Sequence, residues 1–301
     1  MDASDNPRLD GPVGSPVWFP LLDRSPAVDT ANPEYCLETD QIGTLRPQGG
    51  SCDIGAIESM TASPALPTPV PPLVCTLSDQ IKAANTDAEA GACPAGNGAD
   101  IITLTKDYIL QAPLPQINSH ITIEGNGYTI SGDNKYRVFR VDGGKLTIND
   151  LTLSDGFAKD LGGAIRLQGG SEVVANDSRF LNNSAKDGGA IASNSEASRV
   201  YINKSSFVGN RASLYGGAIM MRNGGDLSVT DSSFVENAAN AKYGHGGAIN
   251  ASYADTVDIS SSTFIGNRAF RGGAVSAGYA FTVTLTHVTL LNNQAGLGAD
   301  S

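Results

Sequence analysis

A four-residue string, Gly-Gly-Ala-Ile or Gly-Gly-Ala-Val, begins at Gly162, Gly188, Gly216, Gly246 and Gly272, at intervals of 26, 28, 30 and 26 residues. Units this short cannot bury an apolar face alone, so neighbouring units must stack on one another. A second pattern runs through the same units in fixed order. Apolar residues stand seven and five positions before Leu153, Phe180, Phe207, Phe234, Phe264 and Leu290: Leu146/Ile148, Val173/Ala175, Val200/Ile202, Leu227/Val229, Val257/Ile259 and Val283/Leu285.

Between each apolar pair and the following Phe or Leu the alternation slips by one residue. A slip would turn every later side chain to the other face unless the backbone bent there. The slip sites hold Asn149, Asn176, Asn203, Thr230, Ser260 and Thr286, residues that favour turns. A second corner is expected three residues after the Phe or Leu, at Asn183, Asn210, Asn237, Asn267 and Asn293, and a third in the variable loop before Gly-Gly. Three short strands and three corners per unit predict an all-β chain wound as a single-stranded parallel β-helix. Seven rungs run from Ile121 through Leu146, Val173, Val200, Leu227 and Val257 to Val283. Stacked at about 4.8 Å, the corner asparagines are predicted to bond one another in a structural ladder.

The rest of the chain is organised around that stack. Residues 1–58 are rich in turn formers, and 59–74 form a proline-rich spacer without charge. From residue 75 to 301 the β-helix is expected, opened by a short amphipathic helix over Leu77–Ala90. That helix starts at Ser78 or Asp79 and covers the first rung. Cys36 with Cys52, and Cys75 with Cys93, are local pairs in polar loops; two disulfides and an oxidising compartment are expected, since four buried thiols would need apolar surroundings. The net charge of −11 disfavours nucleic acid and anionic lipid. No run of 18 apolar residues occurs, so no direct membrane insertion is expected. The opening MDASDNPRLDG lacks the basic and apolar regions of a secretory signal.

The paired Gly-Gly-Ala-Ile and Phe-x-x-Asn motifs, over roughly residues 100–300, resemble the repeats of polymorphic outer membrane proteins and of bacterial right-handed parallel β-helix proteins. The resemblance implies the right hand of the coil. Val74 to Asn85, VCTLSDQIKAAN, resembles the CSLREA motif that opens many such modules, departing from it at Thr76 and at Ser78 to Gln80. Residues 25–58, ending in Cys-Asp-Ile-Gly-Ala, resemble the choice-of-anchor closing segment. The order implies a fragment of a tandem surface protein whose signal and anchor lie elsewhere. It also raises residues 1–58 as a cap for the open end near Val283 or for a neighbouring chain.

Polygalacturonase-like tripeptides occur at Gly244 to Gly246 (Gly-His-Gly) and at Asn85 to Asp87 (Asn-Thr-Asp). No Asp-Asp pair or Arg-Ile-Lys accompanies them, and His245 holds the variable position occupied elsewhere by Leu161, Asp187, Tyr215 and Arg271. No residue is assigned a catalytic role. One column, Asp150, Asp177, Lys204 and Asp231, with Ser261 and His287 above it, offers Asp150, Asp177 and Asp231 as candidate calcium ligands; its simpler reading is a solvated charge ladder. No other cofactor is expected. Tyr215, Tyr243, Tyr253, Tyr279 and Phe281 offer a contact strip for sugar or protein. The composite expectation is a secreted or cell-surface structural and adhesive module, partnered by a surface protein, a glycan or neighbouring β-helix modules. The alternatives are a polysaccharide lyase or hydrolase and a non-catalytic carbohydrate-binding module.

Overall fold

The computed structural model describes residues 19–22, 25–59 and 74–296, and the chain divides into two compact units, Met1–Leu73 and Val74–Ser301. The spacer expected over 59–74 lies, but for its two ends, outside the described residues, as do the first 18.

The first unit is ordered by carboxylates more than by strands. Cys36 is bonded to Cys52. Buried Asp53 accepts the N–H groups of Asp29 (2.7 Å) and Ser59 (2.6 Å), Asp40 accepts those of Thr44 (2.7 Å) and Glu58 (2.9 Å), and Glu58 accepts those of Gln48 (2.9 Å) and Asp53 (3.1 Å). Arg46 lies 3.3 Å from the Glu58 carboxylate. Charged acceptors give such bonds their strength, which lets a turn-rich segment satisfy its backbone without a sheet.

The second unit is a stack of parallel coils. Its first sheet has eight five-residue strands, from Ala99–Thr103 to Thr282–Thr286, and its second has eight, from Tyr108–Ile109 to Thr289–Leu291. The first sheet keeps one register throughout: Ile121, Leu146, Val173, Val200, Leu227, Val257 and Val283 are successive partners. Below Ile121 lies one rung more than expected, Ala99–Thr103, paired with His120–Glu124. In the second sheet Phe180, Phe207, Phe234 and Phe264 are in register, buried, with ring centroids 4.3 to 4.7 Å apart and planes within 5°. Each buried ring contributes about 1.5–3 kcal/mol of transfer free energy, and the coil pitch sets the stacking distance.

Each complete coil has four strand segments where three were expected. A third sheet of five strands starts at Ser184–Asp187, and a fourth of six strands starts at Phe139–Asp142. Gly-Gly divides them: Gly162, Gly188, Gly216, Gly246 and Gly272 all adopt φ of 58–71°, a left-handed turn that no strand can pass through. The second glycine of each pair has a different reason for its identity. A Cβ on Gly189 would strike the carbonyl oxygen of Gly217, and one on Gly217 that of Gly247.

The other two corners also turn on left-handed residues, one position away from those expected. After the first-sheet strands these are Asp150, Asp177, Lys204, Asp231, Ser261 and His287, with φ between 45° and 53°. After the second-sheet strands they are Asp155, Asn182, Gly209, Glu236, Gly266 and Asn292, with φ between 50° and 65°.

Immediately beyond this second corner the column Asn183, Asn210, Asn237 and Asn267 is fully buried, with Asn293 half-buried at its end. From Asn210 onward each Oδ1 accepts two bonds from the preceding coil: Asn210 takes the backbone N–H and the Nδ2–H of Asn183, both at 3.0 Å, and Asn237 takes those of Asn210 at 3.0 and 2.9 Å. The remaining Nδ2–H of Asn210 donates to the Phe180 carbonyl at 2.9 Å. Asn210 thus spends its whole amide capacity inside the stack. A second, half-buried amide column at the first corner runs with the opposite polarity: Asn203 Nδ2 donates to Asn176 (2.9 Å) and Asn176 to Asn149 (2.8 Å).

The helix at the start of the unit, α1 (Leu77–Thr86), is shorter than the expected Leu77–Ala90 and begins on a different cap. Thr76 Oγ accepts the Asp79 N–H at 3.1 Å, and Asp87 ends the helix at φ 48°, its carboxylate accepting the Gly98 N–H at 2.7 Å. Leu77, Ile81 and Ala84 are buried in one cluster with Ile102 and Ile121, so α1 closes the apolar end of the stack. The Cys75–Cys93 disulfide ties the entry of α1 to the loop that follows it. At the last described coil Val283, Leu285 and Leu290 continue the core columns with 44%, 51% and 57% of their surface exposed.

Candidate functional site

The sequence motifs that suggested catalysis fall apart in space. Asn85 is in α1, where its Nδ2 donates to the Gln116 carbonyl (2.6 Å) and its Oδ1 accepts the Asn118 N–H (3.0 Å); with Asp87 it fastens the cap to the first coils. Asp150, Asp177, Lys204 and Asp231 are exposed corner residues in one left-handed column, a conformation Asp tolerates better than most residues. Among the described residues no three His, Cys, Asp or Glu side chains gather closely enough to hold a metal ion.

His245 has different surroundings. The positions before Gly-Gly pair from coil to coil, Leu161 with Asp187, Tyr215 with His245, and His245 with Arg271. Tyr215 donates its backbone N–H to Asp187 Oδ1 at 3.2 Å, and its ring meets the His245 imidazole edge-on, with centroids 5.7 Å apart. Arg222, entering from the loop beyond the fourth sheet, places its guanidinium carbon 5.1 Å from the Tyr215 ring centroid. Burial raises the Asp187 carboxyl above its ordinary value, against the pull of Lys186, the Tyr215 N–H and Arg222. Burial and the charges of Arg271 and Arg222 push the His245 imidazole down, so it is neutral and able to accept a proton at neutral pH. An acid, a phenol, an imidazole and two guanidiniums therefore line one corner across four coils.

Arg222 also borders a trough of about 870 Å³ along the loops that return the chain from the fourth sheet to the first. Asn194, Glu196, Asn223, Tyr253, Asp255 and Phe281 complete its walls. The expected aromatic strip is divided: Tyr215 belongs to the His245 corner, Tyr243 packs edge-on against Phe270 at 5.7 Å, and Tyr253 stacks on Tyr279 at 5.0 Å with planes 10° apart. Sequence reasoning put Asp187, Tyr215 and Arg271 in the column of His245 but missed Arg222, which enters from another loop, and missed the polar walls of the trough. The only signal was negative: these loops vary where every other column repeats.

Four parallel sheets wound into one stack define a β-solenoid, with its chemical variety confined to one corner and one set of loops. A family model described as right handed beta helix region matches residues 116–299, more than half of the chain, and the chain belongs to that family, which gives the coil its right hand. No curated protein and no solved structure matches the chain. The fold and the two disulfides are compatible with an extracellular protein, and no helix among the described residues is long and apolar enough to cross a membrane.

Proposed function

We propose that the chain is a non-catalytic module of a secreted or cell-surface protein, a rigid stem that presents the loops beyond its fourth sheet to a partner. One observation carries this reading: the polar columns that repeat along the stack have structural employment. The buried asparagines bond one another, and serines at the first corner do likewise, Ser178 N–H donating to Ser205 Oγ at 3.1 Å and Ser205 N–H to Ser232 Oγ at 3.0 Å. The exposed aspartates occupy left-handed corners. Repetition is thus accounted for by folding, and the variable loops are left for recognition. The stem needs no bound ion in this reading. Incubation with polygalacturonate and a panel of acidic and neutral glycans, with and without calcium, tests it: no reducing ends and no unsaturated product are expected, and turnover of any of them overturns it.

The corner of Asp187, Tyr215, His245 and Arg271 favours a second reading, a polysaccharide lyase. A neutral His245 would take the C5 proton beside a uronate carboxylate neutralised by Arg222 and Arg271, the C5–H electron pair would form the C4–C5 double bond, and the C4–O bond would break with its oxygen taking a proton from water. That reading requires unsaturated product from an acidic glycan and its loss in His245→Ala.

A further inference from the structure

We infer that the trough bordered by Tyr253 and Phe281 is a binding site for a neutral oligosaccharide; the inference rests on the reading of this chain as a module that presents its loops to a partner. Its first support is a backbone conformation that folding would not choose. Tyr253 and Tyr279 stand three residues before successive first-sheet strands, at φ of 66° and 65°. In earlier coils the same loop position is Gly169 at φ 61° and Asn223 at φ 64°, residues suited to that conformation. A bulky side chain there costs about 1–2 kcal/mol. Tyr253 keeps 47% of its surface exposed in that conformation, with one ring face laid on Tyr279.

The second support is the chemistry of the walls. Asn223 Nδ2 donates to Asn194 Oδ1 at 2.9 Å, a bond that uses neither the Asn194 amide hydrogens nor Asn223 Oδ1. Asp255 Oδ2 accepts the Gly225 N–H at 2.9 Å and keeps its other oxygen, and Glu196 keeps both. Donors, acceptors and flat apolar faces therefore alternate around one trough. A protein partner's interface is depleted of charge at its core, whereas this trough places Glu196, Arg222 and Asp255 there. Hydroxyl groups can use such acceptors and donors together, while the C–H face of a pyranose packs on the electron-rich face of an aromatic ring. Two carboxylates against one guanidinium, in a chain of net charge −11, oppose uronates and favour neutral sugars. From Asn194 to Phe281 the walls draw on four successive coils, about 14 Å at the coil spacing, which fits a short chain of sugars better than one.

Calorimetric titration of the full chain with cello-, xylo-, manno- and galacto-oligosaccharides and with oligogalacturonate tests the site. At least one neutral oligosaccharide is expected to bind, with oligogalacturonate weaker by tenfold or more. Tyr253→Asn keeps a residue that accepts the left-handed backbone, and Phe281→Ala removes the other ring of the trough, so each should weaken binding by tenfold or more without lowering the unliganded melting temperature. Failure of every neutral sugar to bind, preference for oligogalacturonate, or affinity within twofold of the parent in both variants overturns the inference. The same mixtures are assayed for new reducing ends. Turnover would overturn the non-catalytic reading while leaving the binding site in place; absent binding without turnover would remove the site alone.

Discussion

The asparagine column Asn183 to Asn293 and the column Leu161, Asp187, Tyr215, His245 and Arg271 lie in the same coils and are built on opposite rules. The first holds one residue type at every level, buried, each amide bonded to its neighbours above and below. The second holds a different residue at every level, partly exposed but for the buried Asp187, and its members interact through rings and charge. Repetition in this chain marks positions where the neighbouring coil dictates the residue. Variation marks positions that the stack leaves open, and Asp187 and His245, two groups whose proton affinities the fold shifts, sit there.

The comparison can be broken most severely in the asparagine column. Asn210→Leu would orphan the Asn183 N–H groups, take the amide donor from the Phe180 carbonyl and leave Asn237 Oδ1 with one of its two donors, and is expected to cost on the order of 4 kcal/mol, read as a lower urea midpoint. A loss under about 1 kcal/mol would mean that the ladder is replaceable. The next contrast lies within three residues. Gly217→Ala drives a Cβ into the Gly247 carbonyl and should cost about 3 kcal/mol, whereas Tyr215→Ala, at the variable position, should cost about 1 kcal/mol. Equal losses would erase the distinction between dictated and open positions.

The titratable groups sharpen the comparison through pH. The folded Asp187 carboxyl binds its proton more tightly than the unfolded one, so its contribution favours folding in acid and is lost as pH rises through its folded value. Asp187→Asn should therefore stabilise the fold at pH 7, with the gain vanishing below pH 3.8, the ordinary aspartate value. His245 has the opposite slope: its depressed affinity leaves stability intact above 6.5, its ordinary value, and erodes it as pH falls through the folded value. The smallest effect belongs to His245→Gln, within about 0.5 kcal/mol of the parent at pH 8 and flatter than the parent toward pH 5. Denaturant titrations at these pH values check both variants, and identical slopes would place Asp187 and His245 in ordinary solvent.

What the sequence made legible follows from the same division. The register of Val173, Val200 and Leu227, the phenylalanine stack and the asparagine column were readable because each residue recurs at the coil period and has one neighbour above and one below. The extra rung at Ala99–Thr103 was missed because Asp100 holds the column position that is apolar from Ile121 to Val283, and α1 stops at Thr86 because Asp87 takes a left-handed turn that helical periodicity does not report. The corners were placed one residue off because alternation locates a break in facing, whereas the bend belongs to the adjacent residue with positive φ. The fourth strand segment was hidden by Gly-Gly, which was read as part of a bend and is also a boundary. Arg222 could not be joined to His245 from spacing alone, since it reaches that corner from a different loop.

The hydrogen bonds joining one coil to the next run along the axis of the stack, and the chain advances only one coil, about 27 residues, before it meets itself again. Pulled by its ends, such a body does not stretch as a spring. It holds until the outermost coil lets go, pays out about 90 Å of chain, and presents an almost identical surface to the load once more.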